Sequence, residues 1–145
     1  MDVGNSLIGR KCGGKAAFVN GTVAPLDVSR HFFMHAVDLA EAFSAKAILV
    51  YADVFDSVES MMAVVGDPCR QPIILTTKNT TAFELCRIDG CRIVRIPPIT
   101  LTRPGQIRMA ILLGSAEGLF QEGDRLVCLT GSAGTNMFDL VMLTD

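Results

Sequence analysis

Tryptophan is absent and tyrosine occurs once, so the chain offers no aromatic platform on which single-stranded bases would stack. Excess positive charge is missing too: a formal net charge of -2 leaves no basic footprint for a nucleic-acid backbone. Apolar runs such as 47–52 and 109–114 fall far short of the roughly 18 residues a membrane span needs. The opening Met1-Asp2-Val3-Gly4-Asn5 lacks the basic start and apolar block of a secretory signal. Five cysteines (12, 69, 86, 91 and 128) are odd in number and show no CxxC spacing. They fit a reducing cytoplasmic compartment, packed as small hydrophobes. No HExxH pattern and no credibly spaced Ser-His-Asp or Cys-His set occurs, so no catalytic residue, metal or cofactor is assigned.

What the chain has in plenty is apolar surface. Half of its 145 residues are hydrophobic and only 19% are charged. That surplus points to buried strands, an oligomer interface, or a face covered by another domain.

The pattern along the chain alternates between helix and strand. Residues 1–26 read as a poorly defined extension, with a short edge strand at 16–19 and a break at Cys12-Gly13-Gly14. From 27 to 145 the alternation is regular. Residues 26–29 offer capping side chains, and Phe33, Ala36, Val37, Ala40 and Phe43 recur at helical spacing. The run 47–51 suits a strand covered on both faces. A short helix is expected from Asp56-Ser57 through Val64, a strand over 72–76, and a second short helix over 80–88. The third strand, 91–96, alternates as a sheet edge does. A long helix opens at Thr102 or Arg103, with Pro104 in its first turn, and runs to about Phe120. Strands over 125–129 and about 137–144 close the chain.

This order gives an α/β three-layer sandwich around a five-stranded mixed sheet with right-handed crossovers. If the first three strands march one way and the fourth returns beside the first, the order is 3-2-1-4-5. The loop 131–136 is too short for a crossover helix, so the fifth strand must run antiparallel to the fourth.

Several phrases resemble a known arrangement. They are Ala45-Lys46-Ala47-Ile48, the run from Gln71-Pro72 to Thr77-Lys78, the Gly123-Asp124 turn and Thr135-Asn136. In their order and spacing, over about residues 30–145, they resemble the C-terminal α/β domain of pyruvate kinase. The resemblance implies a domain without catalytic residues that carries an effector site and subunit contacts, and it implies the same 3-2-1-4-5 order. In that family a Ser/Thr-Gly-Arg type loop after the first strand holds a sugar phosphate. Here the equivalent stretch is Asp53-Val54-Phe55-Asp56-Ser57, whose two carboxylates repel phosphate and cap the following helix themselves.

A second resemblance rests on residues 96–103 and Asp139-Leu140-Val141. Some bacterial proteins are similar in placing such a domain before a nucleotide-binding diadenylate cyclase domain of the DNA-integrity-scanning type. Neither the Asp-Gly-Ala nor the Arg-His-Arg type motif of that cyclase occurs here, so its activity would lie beyond Asp145.

The site candidates gather at the expected carboxyl edge of the sheet. Asp53, Asp56 and Ser57 follow the first strand; Thr130, Gly131, Ser132, Gly134, Thr135 and Asn136 follow the fourth. Open α/β sheets bind ligands at such a switch point, and bare N–H groups of a Gly/Ser loop form an anion nest. Asp53 and Asp56 as helix caps, and 131–136 as a tight turn, are the plainer alternatives. His31 and His35, at i and i+4 with Asp38 and Glu41 nearby, have metal-ligand spacing but read equally as boundary residues. Arg103 and Arg108 suit phosphates or a partner-facing helix start. Two functions follow. One is a regulatory, oligomerising or small-ligand-binding domain, a homodimer with a downstream partner domain. The other is a small stand-alone enzyme acting on a phosphorylated metabolite at the 51–57/130–136 crevice.

Overall fold

A computed structural model describes residues 18–19, 22–66, 71–78 and 91–144. Phe18–Val19 (β1) and Thr22–Val23 (β2) pair antiparallel as a small hairpin separate from the main sheet, so the edge strand expected at 16–19 is not part of that sheet. The first helix, α1, is Pro25–Ala42. It begins inside the segment read as an extension, because Pro25 sits at its first position where the missing N–H does no harm. Residues 26–29 are therefore helical and do not cap. Ser29 is fully buried within α1, and Phe43, expected on the apolar face, lies past the helix end and is exposed.

Ala47–Tyr51 (β3) is buried at every position, as its unbroken apolar run requires. A 3-10 turn, Ala52–Val54, then leads to α2, Val58–Val65. Ser57 caps α2, its hydroxyl accepting from Ser60 N at 3.1 Å. Capping thus falls to Ser57 and not to the two aspartates. Next come Ile73–Thr77 (β4) and Cys91–Arg95 (β5). The helix expected over 80–88 lies outside the described residues.

Arg103–Ala116 (α3) is capped by Thr102, whose hydroxyl accepts from Gly105 N at 3.2 Å. It stops four residues before Phe120. Gly118 takes a φ of +78°, and Leu119 N donates back to Gly114 O at 3.0 Å, which closes the helix end. Phe120 then folds onto Gly114, where a Cβ would stand only 2.6 Å from the ring. Leu126–Gly131 (β6) and Phe138–Thr144 (β7) complete the chain.

The sheet order is β5-β4-β3-β6-β7, with β6 and β7 antiparallel and every other pair parallel. In order of strand along the sheet sequence this is 3-2-1-4-5, as the pattern implied. A bulge at Thr130/Gly131 sits where β6 leaves the ladder. One core lies between the sheet and α1 and α2, with Phe33, Ile48, Val50, Met61 and Leu129 among its members. The other, with Leu49, Ile74, Ile107, Ala110, Phe120 and Cys128, lies under α3. The hydrophobic surplus thus fills two faces of one sheet.

Candidate functional site

Parallel β3, β4 and β6 all end at one edge, and the chain order reverses between β3 and β6. That edge collects the residues after β3 and after β6, as expected of a switch point. The two segments do not leave an open crevice on the α2 side, because they are hydrogen-bonded to each other. Gly134 N donates to Asp53 O at 2.9 Å and Asn136 N to Val54 O at 2.8 Å. The Asn136 side chain accepts from Asp56 N and donates to Asp56 Oδ2, both at 2.9 Å. Phe55 and Phe138 meet edge to face with ring centroids 5.2 Å apart.

The fate of each expected residue follows. Asp53 accepts from Thr77 Oγ1 and, at 2.9 Å, from Lys78 N, so it ties the end of β3 to the end of β4. Asp56 accepts from Asn136 and Ser60, bonds that hold its carboxyl below the usual carboxylate range. Ser57 caps α2. Gly134, Thr135 and Asn136 each direct a backbone N–H to a protein oxygen, so these groups of the nest are engaged within the fold. Gly131 lies where a Cβ would stand 2.5 Å from Met137 O. Asn136 adopts a φ of +59°, which its short polar side chain tolerates.

On the α3 side the arrangement differs. Arg103, at the start of α3, grips both carboxylate oxygens of Asp139 through Nε and Nη2, at 2.6 to 3.1 Å, and donates to Ser132 Oγ at 2.6 Å. This clasp holds the Asp139 carboxyl below the usual range. Beside it stands Tyr51, 4% exposed, whose hydroxyl is pushed up to about 12 by burial and by the neighbouring Asp53 carboxylate.

Below the first turn of α3 lies a cavity that leaves about 10 Å³ for the centre of a water molecule. Leu49, Tyr51 and Thr76 line it from β3 and β4, Cys128 and Thr130 from β6, and Gln106 from α3. Gln106 is 6% exposed and Thr130 1%, yet Gln106 Oε1 and Thr130 Oγ1 have no hydrogen-bond partner. Leaving such an atom unpaired costs about 1–3 kcal/mol. Both residues line this one cavity.

Of the residues singled out in the sequence, Thr130 lines the cavity and Ser132 accepts from Arg103. Tyr51 belongs to the 51–57 stretch named in the sequence; Gln106 and Asp139 were not among the site candidates, although a glutamine one turn inside a helix and next to Ile107 was a usable signal. His31, His35, Asp38 and Glu41 are all exposed, and no group of three or more potential ligands is placed to hold a metal among the described residues. Arg108 is exposed on α3, away from the clasp. No helix among the described residues is long and apolar enough to cross a membrane.

Over residues 29–145 the sequence matches the family described as Probable sensor domain DacZ_P. The chain belongs to that family. No curated protein matches it. In this DacZ_P domain the matched span takes in the whole main sheet and all but the first turn of α1.

Proposed function

We propose that the chain is a non-catalytic sensing domain that binds a small molecule at the carboxyl edge of its sheet and passes the bound state to a diadenylate cyclase domain in the same parent chain. The observation that carries this reading is the pair of buried, unpartnered polar atoms at the cavity beside the switch point. The family description supports the sensing role. The sequence phrases that resemble the pyruvate kinase C-terminal domain, if they mark such a domain, fit the regulatory part. The stand-alone enzyme reading finds less support, because the 51–57 and 130–136 segments fill the crevice it needs with their own hydrogen bonds.

The test is the rate of diadenylate formation by the parent chain, with and without a low-molecular-weight fraction of cell extract. The rate should change with the fraction and become indifferent to it once residues 29–145 are removed. A response that survives the deletion would overturn the proposal.

A further inference from the structure

Gln106 Oε1 only accepts, so whatever satisfies it must offer an N–H or O–H. The Thr130 hydroxyl, also unpartnered, either donates or accepts. A molecule with one donor satisfies Gln106 Oε1, and either a donor or an acceptor beside it satisfies Thr130. The rest of the wall is largely apolar, with Leu49, Ile107 and Ala110 among it, and a charge buried there would go uncompensated. The neighbouring charges are already committed: Arg103 to Asp139 and Ser132, and Asp53 to Thr77 and the Lys78 N–H. The Asp53 carboxylate, beside the cavity-lining Tyr51, would also disfavour an anion.

From this geometry, and resting on the sensing role above, we propose that the cavity between α3 and the β3–β6 seam is the ligand site, and that it takes a small uncharged molecule of amide or alcohol type. The cavity leaves only about 10 Å³ for the centre of a water molecule, so an amide or alcohol needs further room, which lifting the first turn of α3 would supply. With the Thr102 cap, the Arg103 clasp is a side-chain restraint on that turn, and its release is coupled to occupancy.

The test uses acetamide as probe, acetate as its charged counterpart of the same shape, and amide NMR shifts of the full chain as readout. Acetamide should shift residues 49–51, 106–110 and 128–130 saturably at millimolar concentration, while acetate leaves them unmoved. Gln106→Leu and Thr130→Val remove unsatisfied atoms, so both variants should melt no lower than the parent protein and should bind acetamide about tenfold more weakly or worse. Thr130→Ser, which keeps the hydroxyl, should bind as the parent does. Equal binding of acetate, shifts confined to another surface, or no acetamide shifts together with lower melting of both variants would overturn the proposal; the last would show that a structural water serves these atoms. A parent-chain response to cell extract that persists in both variants would remove the cavity and leave the sensing role standing.

Discussion

Every polar atom of Asn136 is engaged. Its N–H and side chain tie the loop after β6 to the loop after β3, and its carbonyl accepts from Ser29 Oγ at 2.9 Å. Its left-handed backbone adds a further demand that few side chains meet. Asn136→Ala should lower the stability by about 1–2 kcal/mol for the backbone strain alone, with the lost bonds added. Asn136→Gly should recover part of the loss, and urea denaturation separates the two. A glycine variant no better than alanine would show that the strain is immaterial. The pKa shifts at this scale make a pH prediction. Tyr51 and Cys128 are raised from 10.0 and 9.0 to about 12, chiefly by burial. The folded chain then keeps protons that the unfolded chain releases, so stability is full below pH 9.0 and declines as pH rises toward about 12. Urea midpoints across that window should fall steadily; a flat profile would contradict the burial of both groups. Asp139 is shifted the other way, and its contribution is present above the ordinary 3.8 and lost as pH falls through its lower folded value.

At the scale of elements, α1 and β7 are joined through Ser29, whose hydroxyl donates to Asn136 O and accepts from Phe138 N, both at 2.9 Å. Ser29→Ala leaves both backbone groups unpaired inside the protein, a cost of about 1–3 kcal/mol; an unchanged urea midpoint would rule out that pairing. Sequence reading placed Ser29 at a cap because caps and buried hydroxyls use the same residue, and a partner 107 positions away leaves no local trace. The same limit hid the Arg103–Asp139 clasp, whose members are 36 apart. By contrast β3, β4 and β6 were legible as continuous apolar runs, and the antiparallel β7 followed from the length of one loop. The early end of α3 was missed because Leu119 and Phe120 continue the apolar pattern, while the turn is set by Gly118 and by Phe120 packing on Gly114. Arg103→Ala should cost at most about 1 kcal/mol, since both partners are partly exposed. Its larger effect should be faster hydrogen exchange in the first turn of α3, and unchanged exchange there would deny the clasp its role.

For the whole molecule, among the described residues β7 lies at one end of the sheet with β6 as its ladder partner. An unpaired edge of this kind invites a second copy, and two-fold closure satisfies both edges at once. Sedimentation at micromolar concentration should show a dimer; one species of monomer mass across a hundredfold dilution (roughly the range that exposes a weak dimer) would exclude it. Val141 packs against the core, so a charge there would disturb the monomer as well. Met142, 37% exposed, is the better position, and Met142→Lys should separate the copies without unfolding them. On the proposed function, ligand state is read at the carboxyl edge beneath α3. Amide hydrogen exchange of the parent chain, with and without the extract fraction that alters its cyclase rate, tests it most directly. Added protection is expected at residues 49–53, 103–110 and 128–132, with little change in the hairpin or the middle of α1. Protection confined to α1 or β7, with the α3 turn unaffected, would contradict it.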